Sequence, residues 1–257
     1  MSRVCALFLI VSLLTGNYVS AQDGDTAHSN TQNTLRIAKP CSFALKQTIV
    51  PVLFITYGVA TLFPGPLHEF NYTTREDIYG PGGHSKIPLD DVSFALPALS
   101  VYALHIAGLP GKNCLLDETL VLGIASLAGN GVSQVLKRTV HEYRPDGSDD
   151  LSFPSSHTLN AFVGAAFLME EYKDRSIWIG IAGYAVAAGT GYLRIYNDDH
   201  WLGDVVTGAG IGILSTQFAY WAYPAIKRVL FHSSTGHTLI LPSFRDGYCG
   251  ASLVHSF

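Results

Sequence analysis

Six apolar segments constrain the fold of this 257-residue chain more than any other feature of its sequence. They occupy residues 48–63, 92–109, 120–136, 158–169, 177–193 and 201–223. Several are rich in glycine and alanine, small residues that let helices approach one another closely within a bilayer. Pro-Gly clusters separate some of the segments, as expected of loops between helices. The pattern predicts an all-α fold, a membrane-embedded bundle of about five to six helices.

The composition favours lipid over water as the surroundings of this bundle. Hydrophobic residues make up 48% of the chain and charged residues only 14%, whereas a typical soluble domain has about 25% charged residues. The formal net charge of -4 provides no basic field for a nucleic acid, so we expect no nucleic-acid partner. An anionic ligand would have to be bound by a local cluster of cations.

The N-terminal residues have the layout of a secretory signal peptide. Arg3 precedes an apolar run at residues 4–14, and Val19-Ser20-Ala21 supplies the small residues of a cleavage site. We expect cleavage after residue 21. An uncleaved anchor helix is the alternative, although the run is short compared with the roughly 20 residues that a membrane span requires.

The rest of the chain divides into three predicted regions. They are a polar leader at 22–47, a helical domain at 48–230 and a tail at 231–257. Strand-like residues in the tail fit a small hairpin. An irregular cap fits them equally well.

Lys137 and Arg144 form the first of three polar clusters in this apolar chain. They are seven positions apart, which is two turns along one helix face if the helix continues that far. Pro145 would then end the helix. Two adjacent cations suit a phosphate dianion. Charged side chains that reach from a membrane edge toward water would give the same pattern.

Ser155, Ser156 and His157 form the second cluster. A Pro-Ser-Ser sequence before an apolar run is typical of a helix N-cap. The free backbone N–H groups at such a helix start bind anions, and a serine hydroxyl can donate a further hydrogen bond. His157, in the first turn, would lie beside the anion. The alternative is an ordinary capped helix with an incidental histidine.

Arg194, His200 and Asp204 form the third cluster. His200 and Asp204 are four residues apart, so we expect them to share a helix face. A carboxylate that holds one imidazole nitrogen fixes the tautomer and leaves the other nitrogen free to attack. A charge at the start of an apolar helix is costly and indicates function. A helix-start carboxylate and an interfacial histidine are the alternatives.

The three clusters together resemble the signature of the type 2 phosphatidic acid phosphatase superfamily, which vanadium haloperoxidases share. The motifs are Lys-x6-Arg-Pro, Pro-Ser-x-His and Arg-x5-His-x3-Asp, and the match spans roughly residues 120–223. Ser156 replaces the usual glycine of the second motif, and Leu193 replaces a serine that often precedes the arginine. Asp198 and Asp199 are additional to the motif. They would either raise the pKa of His200 or repel highly anionic substrates.

The resemblance implies a role for each motif residue. Phosphate oxygens would be bound by Lys137, Arg144, Arg194, the hydroxyl of Ser155 and the backbone amide of Ser156. His200 would attack phosphorus and form a phosphohistidine, and Asp204 would orient and polarise His200. His157 would protonate the leaving alkoxide and then activate the hydrolytic water. This chemistry requires no metal or other cofactor, and the spacing of the cysteines is not that of metal ligands.

The function implied by the resemblance is hydrolysis of the phosphate monoester of a membrane lipid in a bacterial cell envelope. Candidate substrates are phosphatidic acid, phosphatidylglycerophosphate, undecaprenyl diphosphate and lipid A phosphate, of which we favour lipid A. A soluble secreted acid phosphatase and a vanadate-dependent haloperoxidase of the same fold are alternatives. A non-catalytic membrane scaffold is a further alternative, against which the complete set of motif residues argues.

Loop charges predict the orientation in the membrane. Basic residues follow the fourth and sixth apolar segments, at Lys173, Arg175, Lys227 and Arg228. Such residues belong on the cytoplasmic side, so the candidate site would face the periplasm from the inner membrane. With the N-terminus outside after cleavage, three full spans would place Lys137 on the wrong side. We therefore expect segment 48–63 to be re-entrant or to lie on the surface.

Overall fold

The computed structural model describes residues 45–80, 82–231, 237–245 and 248–256. The helices are α1 (Leu45–Thr61), α2 (Pro66–Tyr79), α3 (Asp90–Ser93), α4 (Leu96–Ile106), α5 (Leu115–Val140), α6 (Ser156–Tyr172), α7 (Ile177–Tyr196) and α8 (Leu202–Phe231). Two strands follow, β1 (His237–Arg245) and β2 (Tyr248–Ser256). The predicted signal peptide, residues 1–21, and the leader up to residue 44 lie outside the described residues.

The predicted helical bundle is confirmed. It also contains two helices, α2 and α3, that the apolar pattern did not reveal. Helix α2 is largely polar in sequence, so a search for apolar segments passes over it. The segment predicted at 92–109 is divided, because α3 ends at Ser93 and α4 begins at Leu96. Both α2 and α3 contribute contacts to the site described below.

Helix α6 lies at the centre of the helical packing. It packs against α3, α4, α5 and α7, and its buried residues include Leu159, Ala161, Ala165 and Phe167. Burying a large apolar side chain stabilises the fold by roughly 1.5–3 kcal/mol, while the alanines keep the neighbouring helix axes close. The helix runs from Ser156 to Tyr172 and so extends beyond both ends of the apolar segment 158–169.

The start of α6 is capped as its sequence predicts. The hydroxyl oxygen of Ser155 accepts hydrogen bonds from the backbone N–H of Thr158, at 3.5 Å, and from the Thr158 hydroxyl, at 3.0 Å. The backbone N–H of Ser155 donates to the carbonyl oxygen of Asp204 at 3.1 Å. This bond joins the first turn of α6 to the first turn of α8.

The end of α5 differs from the prediction. The helix ends at Val140, and His141 adopts the left-handed conformation with φ 53°. Because a left-handed residue reverses the helical path, Arg144 lies in the following loop and not two turns further along the face that carries Lys137. Pro145 therefore does not end this helix.

Four helix ends meet at one end of the bundle. These are the last turns of α5 and α7 and the first turns of α6 and α8. Short loops join α6, α7 and α8, which therefore run antiparallel, and Ser133 near the end of α5 contacts Ser156 at the start of α6. The basic residues Lys173 and Arg175 follow the opposite end of α6. The three polar clusters of the sequence thus share one end, away from those two cations.

One described helix, α5, is both long and apolar enough to cross a bilayer. The pair Lys46–Thr61 and Pro66–Tyr79 passes the same test jointly, with a bend of 89° between the two helices. Shorter apolar helices include α4.

The chain divides into two compact units, the first ending at Trp221 and the second beginning at Ala222. The second unit holds the end of α8 and an antiparallel pair of strands. Strands β1 and β2 pair from His237 with Ser256 to Arg245 with Tyr248.

Two glycines allow α8 to lie directly against α6. A Cβ atom at Gly208 would stand 2.6 Å from the carbonyl oxygen of Ser155, and one at Gly212 would stand 2.5 Å from that of Leu159. Both neighbours are backbone atoms, which cannot rotate away. The packing of α8 on α6 therefore depends on the absence of side chains at these two positions.

We expect Gly212→Ala to lower the melting temperature of the purified protein, with a cost of about 1–3 kcal/mol from overpacking. Helical Gly→Ala changes normally stabilise by up to about 1 kcal/mol, so the expected sign is the reverse of the usual one. Gly131→Ala on α5 is the control, because its Cβ would meet no atom within 4 Å. An unchanged or higher melting temperature for Gly212→Ala would contradict this account of the packing.

Candidate active site

His200 lies in the loop between α7 and α8 and is only 3% exposed. Its Nδ1 is 3.4 Å from Oδ2 of Asp204 and 3.3 Å from Oγ of Ser152. Because α8 begins at Leu202, His200 precedes the helix, and the expected shared helix face is wrong in that detail. The two side chains nevertheless lie side by side.

The carboxylate of Asp204 is held in place by other contacts as well. Its Oδ2 accepts hydrogen bonds from Oγ of Ser152 at 2.5 Å and from the backbone N–H of Trp201 at 3.0 Å. An acidic side chain in the first turn commonly accepts from the backbone ahead of its helix. With Nδ1 directed at Asp204, the lone pair of a neutral His200 ring belongs to Nε2.

The surroundings of His200 favour the neutral imidazole. Burial lowers the pKa of His200 well below its ordinary value of 6.5, and the charges of Arg194, Lys137 and Arg144 lower it further. The negative charge of Asp199 acts in the opposite direction but is the smallest of these effects. The ring is therefore unprotonated at neutral pH, as a nucleophile requires.

Three cations are close enough to His200 to lower its pKa, and we call them the clamp cations: Lys137, Arg144 and Arg194. Nζ of Lys137 donates to the carbonyl oxygens of Leu151, at 2.5 Å, and Ser152, at 3.4 Å. The last turn of α5 thereby holds the loop that carries Ser152.

The two clamp arginines approach from different elements. Nη1 of Arg194, in the last turn of α7, lies 2.5 Å from Oδ2 of Asp90 and 3.1 Å from Oδ2 of Asp199. Nε of Arg194 is buried and has no hydrogen-bond partner among the described residues. Arg144 pairs with Asp149 at 2.9 Å and donates to the backbone carbonyl of Asp199 at 3.4 Å. Both arginines thus contact Asp199.

His157 lies in the first turn of α6 and is partly exposed. Its Nε2 is 3.4 Å from Oδ1 of Asp91, and its ring meets that of Phe94 edge-on with centroids 5.2 Å apart. Asp91 lies in α3, and Phe94 directly follows this helix. The short helix thus contacts both His157, through Asp91, and Arg194, through Asp90.

The two serines at the start of α6 differ in their contacts. The Ser155 hydroxyl accepts from Thr158 as the helix cap, so its own hydrogen can still be donated to an anion. Oγ of Ser156 lies 3.3 Å from Oγ of Ser133 on α5. The backbone N–H of Ser156, in the first turn, has no carbonyl one turn earlier within the helix to accept its hydrogen bond.

The structure brings every motif residue to the same end of the bundle and adds several that the sequence analysis did not identify. The largest group lies on α2. Arg75 donates two hydrogen bonds to Asp198, at 2.7 and 2.8 Å, and Asn71 accepts from the backbone N–H of Gly203 at 2.9 Å. The ring centroids of Tyr72 and Trp201 are 4.6 Å apart. Helix α2 therefore fixes the loop on both sides of His200.

Two further groups of residues were missed for different reasons. Ser152 lies in a loop and belongs to no motif. Asp90 and Asp91 adjoin an apolar segment, and two adjacent acids at that place were a signal that could have been used. Among the described residues, no group of three or more His, Cys, Asp or Glu side chains is arranged to hold a metal ion.

The fold and the site together define a helical bundle with a histidine–carboxylate pair beside a cluster of cations. Residues 118–228 match the PAP2 superfamily, the type 2 phosphatidic acid phosphatases. This match confirms the resemblance seen in the motifs.

Two related sequences and one solved structure are similar to this chain. The Lipid A 1-phosphatase of Porphyromonas gingivalis is 36% identical over 220 residues, which are 84% of this chain and 44% of that protein. The Bacitracin transport permease protein BcrC of Bacillus licheniformis is 34% identical over 78 residues, 30% of this chain and 36% of that protein. The chain thus matches less than half the length of either relative.

The solved structure is that of a transmembrane PAP2 type phosphatidylglycerolphosphate phosphatase from Bacillus subtilis. It has a TM-score of 0.52 and 21% sequence identity, and the match covers 72% of this chain and 99% of that one. At this identity the likeness establishes the fold.

We expect Arg144→Met to raise the pKa of His200. The substitution removes one of three cations that disfavour the imidazolium, while the burial of the ring stays the same. The pH titration of the ring nitrogens, followed by NMR of ¹⁵N-histidine-labelled protein, measures the change.

The control for this titration is Arg138→Met, which removes an exposed cation from the last turn of α5. Its titration curve for His200 should match that of the unmodified protein. If both variants left the curve unchanged, the clamp cations would not set the protonation of His200.

Proposed function

We propose that this protein is a phosphatase that removes a phosphate group from a membrane lipid. The observation that carries the proposal is the buried His200, held at Nδ1 by Asp204 and close to the three clamp cations. A neutral imidazole oriented by a carboxylate is an activated nucleophile. Fixed cations stabilise the charge on the oxygens of a phosphoryl group during its transfer.

The reaction follows in two steps from these positions. Nε2 of His200 forms a bond to phosphorus while the bond from phosphorus to the lipid oxygen breaks, and His157 donates a proton to that oxygen. His157 then takes a proton from a water molecule whose oxygen attacks phosphorus. The bond from phosphorus to nitrogen breaks, inorganic phosphate leaves, and both histidines return to their starting states.

Donors around His200 would hold the phosphate oxygens. Nε of Arg194 is a buried donor without a partner among the described residues, and the Ser155 hydroxyl keeps its hydrogen. The backbone N–H of Ser156 adds the anion preference of a helix N-terminus. These groups are held by the fold before substrate binds, so little reorganisation is required of them.

An amphiphilic substrate suits the surface of the bundle. Large apolar side chains are exposed on several helices, among them Leu127 on α5 at 78% and Trp178 on α7 at 73%. Exposed apolar surface of this kind is typical of contact with lipid. The similarity to a protein named Lipid A 1-phosphatase favours lipid A phosphate over phosphatidic acid, phosphatidylglycerophosphate and undecaprenyl diphosphate.

The same bundle suggests how the protein would lie in a bacterial inner membrane. The site occupies one end of α5–α8, and Lys173 and Arg175 follow α6 at the other end, which would face the cytoplasm. The site would then open to the periplasm, in agreement with a signal peptide at residues 1–21. The bend of 89° between α1 and α2 fits a first segment that re-enters rather than crosses.

We expect His200→Ala to abolish release of inorganic phosphate from lipid A, and ³²P-labelled substrate to leave no acid-labile label on the variant. The loss should exceed about a thousandfold, because the nucleophile itself is removed. The matched control is His141→Ala, which removes an exposed histidine from a neighbouring loop. Substantial phosphate release by the folded His200→Ala variant would refute this nucleophile.

We expect His157→Ala to depend on the leaving group. The loss of a general acid typically costs about 10²–10⁴-fold, and this should appear with lipid or alkyl phosphates. Activated aryl phosphates leave without a proton, so p-nitrophenyl phosphate should be affected far less. Values of kcat/KM for the two substrate types measure the difference, and equal losses would contradict the general-acid role.

A further inference from the structure

We infer that Asp199 is a specificity-determining residue, whose carboxylate competes with the substrate's phosphate for Arg194 and is itself restrained by Lys86. The inference rests on the proposed function and deepens it. It assigns to this site a preference for a single phosphate group over more highly charged diphosphates.

The carboxylate of Asp199 bridges a clamp cation and a lysine at the rim. Its Oδ2 is 3.1 Å from Nη1 of Arg194, and its Oδ1 is 2.5 Å from Nζ of Lys86. The Lys86 side chain is 53% exposed and also lies 3.4 Å from Asp146. One carboxylate therefore divides its two oxygens between a buried cation and a cation open to solvent.

The neighbouring acids do not share this position. Asp198 is bound by Arg75 through both carboxylate oxygens, so its charge is paired on α2 and not at the clamp. Asp90 also contacts Arg194, but it is buried and accepts a second hydrogen bond from Asn197 at 3.0 Å. Asp199 alone among these three acids pairs a clamp cation with an exposed one.

A phosphate that approaches Arg194 must share that guanidinium with Asp199 or displace it. Like charges within a few ångströms repel, and the repulsion grows with the charge of the ligand. A diphosphate carries more negative charge than a monoester, so it is penalised more. Lys86 weakens this repulsion between Asp199 and the ligand, because it neutralises part of the Asp199 charge and draws the carboxylate toward the rim.

The first test is Asp199→Asn, which keeps the shape of the side chain and removes its charge. The inhibition constant of inorganic phosphate, with p-nitrophenyl phosphate as substrate, should fall about tenfold, the effect of losing one charged interaction of moderate strength. The inhibition constant of pyrophosphate should fall by a larger factor. A fall for phosphate that equals or exceeds the fall for pyrophosphate would overturn the assigned specificity.

The second test is a double-mutant cycle with Lys86→Met. In the unmodified background, this change frees Asp199 to pair with Arg194. It should raise the KM for p-nitrophenyl phosphate several-fold, with kcat nearly unchanged. In the Asp199→Asn background it should raise the KM by less than about twofold, because the partner charge is gone. Equal effects in both backgrounds would show that Lys86 acts on the substrate and not through Asp199, which overturns the inference.

Asp150→Asn is the matched control. It removes a partly exposed carboxylate from the loop between α5 and α6, where Asp150 contacts His141, and it should leave both inhibition constants unchanged. Should Asp199→Asn fail to fold, an unchanged KM in Lys86→Met alone would refute the restraint on Asp199.

Assays of the unmodified protein distinguish a failure of the proposed function from a failure of the inference alone. If it releases no phosphate from any substrate and binds neither anion, the proposed function fails and the inference fails with it. If it is active but Asp199→Asn binds both anions as before, the inference alone fails.

Discussion

The buried carboxylate of Asp204 is the interaction on which the rest of the site depends. It accepts hydrogen bonds from Ser152 and from the backbone of Trp201, and it contacts Nδ1 of His200. The backbone carbonyl oxygen of Asp204 accepts a hydrogen bond from the backbone N–H of Ser155. A carboxylate in an apolar bundle persists only if its lone pairs are used. The contacts that satisfy this carboxylate therefore also fix the ring of His200, while the backbone hydrogen bond to Ser155 joins α6 to α8.

The clamp cations also need partners for their buried charges. Some of these partners are neutral and others are charged. Lys137 donates to backbone carbonyls, whereas Arg194 lies between Asp90 and Asp199. Paired cations stay in position before any anion binds, which favours catalysis because no reorganisation is needed. The acids that hold Arg194 in position also weaken its attraction for an anion. At this residue, the pairing that improves positioning therefore lowers the affinity for an anionic ligand.

How much the sequence revealed depended on how local each feature is. The cap at Ser155 was predictable because a cap requires a few consecutive residues, and the pairing of His200 with Asp204 survived although the helix begins two residues later than expected. The helix face predicted for Arg144 was wrong, because the left-handed residue His141 ends the helix before Arg144. Nothing in the local sequence marks this turn. Helix α2 was missed since its polar residues lack the apolar pattern of the bundle.

The sequence by itself determined that the chain is a helical bundle and that its three polar clusters resemble one family signature, because segment hydrophobicity and motif spacing are properties of consecutive residues. Only the tertiary structure decided which other groups control those residues. Arg75 reaches Asp198 across 123 positions, Lys86 reaches Asp199 across 113, and Ser152 reaches Asp204 across 52. Such pairings are set by how the helices pack, so no local pattern encodes them.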